Sequence, residues 1–320
     1  MASVKVESSD NAFNSIFNIA PNVMADKAPL ANGDGPANQP AGDQLATVSL
    51  DQLQSKDYRQ MLDVVDRLRV CGLDTMLQLP QLVVCGSQSA GKSSVLEAIT
   101  EVPFPRKEGL CTRFATQIVM RRDPKESIQT KIIPDKTRND PEQAKLQAFS
   151  KSISDFSELP SLIEEAAELM DLKYGDSTGG AKAFSRDVLS IDIAGPNKLQ
   201  LTLVDLPGLV NSATKDHSDD DVTLIHHLVQ DYVSEDRTIM LAVISAKDDL
   251  GNQGILKKCR AVDPDGHRTL GVVTKPDYIR SQASKQHWKQ VVLNQNVRLE
   301  LGWHLMKNRY VFSDVRHATS

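Results

Sequence analysis

Gly86-Ser87-Gln88-Ser89-Ala90-Gly91-Lys92-Ser93 has the spacing G-x-x-x-x-G-K-S of a phosphate-binding P-loop. It stands between an apolar run at 82–85 and a helix-favouring run at 93–100, the flanks such a loop requires. The glycines let the backbone curl so that successive N–H groups point at one anion. The helix N-terminus behind it adds partial positive charge. Lys92 can reach the β- and γ-phosphates of a nucleotide, and the Ser93 hydroxyl can ligate Mg²⁺. The plain alternative is a chance glycine turn.

Two later motifs sharpen this reading. Thr274-Lys275-Pro276-Asp277 follows a β-like run at 269–273. An ionised carboxylate only accepts hydrogen bonds. Guanine offers it two adjacent donors, N1–H and the exocyclic N2–H₂, whereas adenine offers an acceptor at N1 and no 2-amino group. Asp277 at the mouth of a P-loop site would therefore select guanine, each charge-assisted bond contributing about 1.5–3 kcal/mol when shielded. Lys275 can lay its aliphatic stem along the purine face. Alone, the four residues also read as a polar turn. Asp205-Leu206-Pro207-Gly208 ends the run 199–204, whose Leu201, Leu203 and Val204 suit a buried strand. Asp205 can hold Mg²⁺ through water, and the Gly208 N–H can contact the γ-phosphate. The order P-loop, Asp-x-x-Gly, Thr-Lys-x-Asp is far more specific than any one of them.

With these motifs the chain resembles the dynamin superfamily of large GTPases, Mx-type and fungal Mx-like members included. Its P-loop, continued through Ser94, is similar to that family's version. Pro105-Arg-Lys-Glu-Gly109-Leu-Cys-Thr112-Arg113 resembles the family's first switch, with Lys107 where the family usually has Gly. The run 262–277 and the run 301–309 also resemble it, Asn308-Arg309 matching the last guanine-site motif. The resemblance covers roughly 50–309. It implies an α/β P-loop GTPase domain with GTP as substrate and Mg²⁺ held by Ser93, Thr112 and Asp205.

Leu209 stands where Ras-type enzymes carry the Gln that orients water, so that role is vacant. Gln88, whose amide donates and accepts at once, is the candidate, and the matching Gln does this in the family; a loop-stabilising amide is the alternative. The resemblance gives Ser89 a part in holding a monovalent cation, Na⁺ or K⁺, where other GTPases use an arginine finger. Such a finger is worth roughly 10³–10⁵ in rate, or about 4–7 kcal/mol. The Thr112 backbone would hold the attacking water. The resemblance also has Asp249 cross to a second GTPase domain in a homodimer, although its spacing alone favours solvated surface charge. The acidic cluster 216–221 reads as a helix start rather than a metal site.

At 320 residues the chain holds one large α/β domain with an appendage. A formal charge of −5 suggests no nucleic-acid partner. Cys71, Cys85, Cys111 and Cys259 show no paired spacing and fit free thiols in a reducing compartment. No apolar run is long enough to span a bilayer, and the start carries neither a signal-peptide core nor an Arg-rich transit pattern. These features place the protein in the cytoplasm, at most peripheral to organelle membranes.

The expected organisation is a disordered tail over 1–44, a helix over 45–77, a GTPase domain over 78–309 and an unassigned tail over 310–320. The first tail is poor in residues that could offset chain entropy. Its Phe13, Ile16 and Phe17 leave a short docking motif open. In 49–73, Leu53, Met61, Val65 and Leu68 fall near one helical face. By resemblance this is a strand of the family's bundle signalling element; a helix packed on the domain needs the same stripe.

Between the motifs, strands are expected at 188–193, 201–204 and 239–245, with an edge strand at 116–120. Helices are expected at 221–233, 252–261 and 284–293. Residues 121–187 read as a polar insertion with helices at 141–153 and 159–170 and a Gly-rich loop at 173–181. This alternation predicts a mostly parallel sheet with helices on both faces and ligands at its carboxyl edge.

Family analogy adds full-length dynamin-like proteins, membranes or microtubules as partners, and a role in membrane fission or organelle remodelling. The family continues into a stalk and effector region that 310–320 does not resemble, so stalk-driven assembly is not expected. The rival reading is a truncated guanine-nucleotide-binding interaction module with little turnover, and an ATP-using P-loop enzyme is a third.

Overall fold

The computed structural model describes Val64 and residues 81–102, 112–172, 182–196, 198, 200–210, 212–213 and 218–307. The chain divides into two units, 1–58 and 59–320, and the first lies outside the described residues. So do both tails, the Gly-rich loop 173–181 and, Val64 apart, the helix expected over 49–73.

Nine strands form one sheet. They are β1 (Gln81–Gly86), β2 (Ala115–Arg122), β3 (Ser127–Ile133), β4 (Ser150–Ile153), β5 (Val188–Gly195), β6 (Leu201–Asp205), β7 (Thr238–Ser245), β8 (Thr269–Thr274) and β9 (Trp303–Leu305). Their spatial order is β4-β3-β5-β2-β6-β1-β7-β8-β9. β6, β1, β7, β8 and β9 run parallel; β2 meets β6 antiparallel, and β3 is antiparallel to β4 and β5. The parallel strands are continuous apolar runs such as Leu82-Val83-Val84-Cys85 and Met240-Leu241-Ala242-Val243-Ile244, buried almost throughout. Strands covered on both faces need that composition.

Among the described residues, six helices flank the sheet: α1 (Lys92–Thr100), α2 (Asp140–Gln147), α3 (Leu159–Leu169), α4 (Asp219–Val233), α5 (Gly254–Val262) and α6 (Gln282–Val292). Val84, Leu203, Leu241 and Val243 share one core with Val95 and Leu96 of α1, Leu146 of α2 and Leu162 of α3. The alternate residues Val83, Cys85 and Met240 point to the other face, and α4 and α5 both pack on β1 and β7. Among the described residues no helix is long and apolar enough to cross a membrane.

The helix start expected in the acidic cluster is present. Ser218 caps α4, its hydroxyl accepting from the Asp221 N–H while the Asp221 carboxylate accepts from the Ser218 N–H. That reciprocal bonding satisfies two end donors, and three acidic residues in the first turn suit the helix dipole.

Two expectations for the first half are corrected. The strand over 116–120 is not an edge; β2 lies between β5 and β6 and is buried along most of its length. The segment 121–187 extends the sheet beyond it by adding β3 and β4. The helix expected over 141–153 ends at Gln147, and 150–153 is β4. Asn139 caps α2 by accepting from the Glu142 N–H, but after Phe149 the chain pairs with β3, Ile153 opposite Ile128 and Ser150 opposite Lys131. Two serines are indifferent helix formers, so pairing decides the outcome.

Candidate functional site

Four of the described motifs leave the carboxyl end of a parallel strand, whereas Thr112 lies just before β2. The P-loop follows β1, Asp205 ends β6, the loop bearing Asp249 follows β7, and Thr274 ends β8. These four strands are mutually parallel neighbours, so their ends share one sheet edge, where α/β folds bind ligands.

The P-loop turns through two left-handed residues, Ser89 at φ 59° and Gly91 at φ 100°. Gly91 caps α1, with Lys92 and Ser93 opening the helix. Gly86 sits so close to β7 that a Cβ there would lie 2.3 Å from the Val243 carbonyl oxygen. Gln88 and Ser89 are exposed at the tip, Ser87, Ser93 and Ser94 are half-buried, and Ala90 and Lys92 are buried.

The turn after β8 is fastened to this loop. Thr274 Oγ1 donates to the Ala90 carbonyl and lies 3.1 Å from the Ile244 carbonyl. Lys275, left-handed at φ 54°, donates from Nζ to the Ser89 carbonyl at 2.7 Å. These contacts join residues 184 and 186 positions apart. Asp277 lies in the 3₁₀ turn Pro276–Tyr278 and is exposed. Asn308 and Arg309 lie outside the described residues, as do residues 105–111 of the first-switch run 105–113, leaving Thr112 and Arg113 as its described end.

The second switch is zipped to the P-loop through main chain. The Leu209 N–H donates to Gly86 at 3.0 Å, and the Gln88 N–H donates to Leu209 at 3.2 Å. Between these bonds Gly208 is pressed so near that a Cβ would lie 2.7 Å from the Gln88 Cα and 3.1 Å from the Lys92 Nζ. The Leu209 side chain is buried, so it orients no water in the site. Sequence reasoning missed this zipper, because a backbone bond between distant segments leaves no residue-type signal.

Asp205 is buried at the end of β6. Its Oδ2 accepts from Thr112 Oγ1 at 3.0 Å, while its Oδ1 is buried with no hydrogen-bond partner. Burial pushes its carboxyl up to about 6, opposed by the Lys92 ammonium and the Thr112 hydroxyl. A buried carboxylate oxygen left unpaired, with the Thr112 hydroxyl on its partner oxygen, is an oxygen-only donor set, which suits a hard cation such as Mg²⁺. Asp249 is exposed at the start of the 3₁₀ turn Leu250–Asn252, its side chain making no capping bond.

A model described as the dynamin family matches residues 82–276. An interferon-induced GTP-binding protein Mx of Perca fluviatilis is 33% identical over 262 residues, covering 82% of this chain and 80% of that protein. The Mx protein of Epinephelus coioides is 33% identical over 262 residues, covering 82% of this chain and 39% of that protein. Mx2 of Oncorhynchus mykiss is 32% identical, again over 82% of this chain and 38% of its own length. The chain thus spans about two-fifths of the length of the relatives from E. coioides and O. mykiss. The match begins inside β1 and ends at Pro276, so it encloses the sheet edge just described, and the chain belongs to the dynamin family, whose GTPase domain these residues form.

Proposed function

We propose that this domain binds GTP with Mg²⁺ and hydrolyses it to GDP and phosphate, faster when two domains meet. The observation that carries the reading is the joining of the Asp277 turn to the P-loop by Thr274 and Lys275. A guanine-reading carboxylate and a phosphate cradle then serve one nucleotide. The relatives bear GTP-binding in their names.

Phosphoryl transfer to water needs positioning and charge neutralisation more than covalent chemistry. In this reading the P-loop amides from Gly86 to Ser94 and the Lys92 ammonium cradle the phosphates. Ser93, Thr112 and Asp205 would hold Mg²⁺, which when bound neutralises charge on the phosphate oxygens. The Gly208 N–H faces the γ-phosphate, and the Thr112 backbone and the exposed Gln88 amide orient water. Ser89, at the loop tip, would hold a monovalent cation, Na⁺ or K⁺. Asn308 and Arg309 complete the guanine pocket by family analogy.

Asp249, exposed on the loop after β7, is free to reach a second domain across the sheet edge. The same analogy gives a cytoplasmic protein, peripheral to organelle membranes, with full-length dynamin-like proteins, membranes or microtubules as partners and membrane remodelling as the role.

The test is phosphate release by purified chain with GTP and Mg²⁺, read per molecule across a protein concentration series. Rising specific turnover, unaffected by excess ATP, is expected. A flat series removes the dimer, competition by ATP removes guanine selectivity, and binding without turnover leaves an interaction module.

A further inference from the structure

Beyond Leu209 the chain leaves the P-loop, and its next carbonyl is met by a side chain from a distant helix. Nε2 of His226 lies 3.2 Å from the Val210 oxygen. A carbonyl can only accept, so the imidazole donates from Nε2. The helix turn bearing it is held from two sides. Ile225, Leu228 and Val229 bury against the sheet, and Lys258 of α5 donates from Nζ to the His226 carbonyl at 3.3 Å. His226 therefore hangs from a fixed support.

Its partner sits one residue past the zipper that presses Gly208 onto the P-loop. Leu209 is bonded to Gly86 and Gln88 on one side, and Val210 is bonded to His226 on the other. A gap that would admit no Cβ between Gly208 and Gln88 leaves little slack for Val210 to wander. Small displacements matter at such a place, since about 1 Å of misplacement costs on the order of 10²-fold in rate.

We infer that His226 is a positioning residue for GTP hydrolysis. By holding the Val210 carbonyl it keeps Gly208 and its N–H in register with Gln88 and Lys92. The inference rests on the GTPase reading above. In this assignment His226 acts through the main chain of the second switch, by its bond to the Val210 carbonyl. Its loss should spare the phosphate cradle and slow the step that needs the switch in place.

The test compares His226→Gln, His226→Asn and His226→Ala in the full chain. The Gln amide nitrogen reaches about as far as Nε2 and can donate; the Asn amide reaches only as far as Nδ1. His226→Ala and His226→Asn should lower kcat about tenfold, with KM, fluorescent-GDP affinity and Tm near wild type. His226→Gln should keep at least half of wild-type kcat. Wild-type kcat in His226→Ala, a loss that Gln fails to restore, or an equal fall in GDP affinity overturns the assignment. If the wild-type chain binds nucleotide without turning it over, the hydrolysis reading has failed separately. The ratio of affinities for a non-hydrolysable GTP analogue and GDP then reads the latch. A ratio at least threefold lower in His226→Ala, restored by Gln, supports it; an unchanged ratio overturns it.

Discussion

Nζ of Lys275 donates to the main-chain carbonyl of Ser89 at 2.7 Å, tying the turn after β8 to the tip of the P-loop. The sequence suggested that the Lys275 stem lies along a purine face, and the observed bond fixes the end of that stem over the loop. Lys275→Met keeps the stem and deletes the tether. Charge-assisted bonds contribute about 1.5–3 kcal/mol when shielded, and this one is exposed, so the expected loss is nearer tenfold in guanine-nucleotide affinity. Titration with fluorescent GDP measures it; wild-type affinity would show that the tether does not organise the site.

Gly208→Ala probes the zipper from its tightest point. Its new Cβ would fall 2.7 Å from the Gln88 Cα and 2.8 Å from the Gln88 nitrogen, both main-chain atoms of the loop. Because backbone cannot step aside as a flexible side chain can, the switch must lift. Turnover should fall by two orders of magnitude or so if the oriented N–H is lost, while GDP binding changes little. Equal losses in both would mean that the whole pocket, not the switch, had been disrupted.

Thr112→Ala removes the hydroxyl that donates to Asp205 Oδ2 at 3.0 Å. Nucleotide should still bind through the P-loop, and single-turnover phosphate release should stop. A variant that turns over at the wild-type rate would place the first switch elsewhere.

The buried ion pair in the segment after β2 is a structural prediction rather than a chemical one. Arg138 donates from Nε and Nη2 to the carboxylate of Asp187, whose side chain is 0% exposed, and from Nη2 to the Met170 carbonyl. The same carboxylate accepts from Ser185 Oγ and the Asp135 N–H. Removing one partner of a buried pair costs about 3–5 kcal/mol, because the other charge stays buried. Arg138→Met should therefore lower the melting temperature by roughly 6–20 °C in a thermal scan. A shift under about 2 °C would show that the pair is solvated in solution.

This network marks where the sequence was hard to read. β1, β6, β7 and β8 announced themselves as apolar runs, ending at Gly86, Asp205, Ser245 and Thr274, and their parallel order places the motifs together. β3 did not, since Ser127-Ile128-Gln129-Thr130-Lys131 is polar at every position but Ile128, on a strand exposed along part of its length. β4 was read as a helical continuation, because its pairing with β3 depends on residues 19 to 25 positions away, from Lys131 opposite Ser150 to Ile128 opposite Ile153. At the site, residue types singled out Lys92, Asp205 and Asp277. The main-chain bonds of Leu209 and the reach of His226 to Val210 depend on how α4 packs, and no local pattern encodes that.

Asp205 gives a pH signature to the metal-free protein. Burial is the largest cause lifting its carboxyl from 3.8 to about 6, against the pull of Lys92 and Thr112. A group whose folded value lies above its unfolded one binds protons more readily in the folded state. Its stabilising contribution is complete below about pH 4 and disappears as pH rises through about 6. The gap corresponds to roughly 3 kcal/mol, so ionised Asp205 burdens the empty site at neutral pH. Asp205→Asn carries no such charge. Its melting temperature relative to wild type should rise by several degrees between about pH 5 and pH 8, without Mg²⁺ or nucleotide. With Mg²⁺ and GTP present the order should reverse, because the wild-type carboxylate then has a cation to meet. A difference between the two proteins that stays constant across that window would mean that Asp205 is hydrated and that its unpaired oxygen is reached by water.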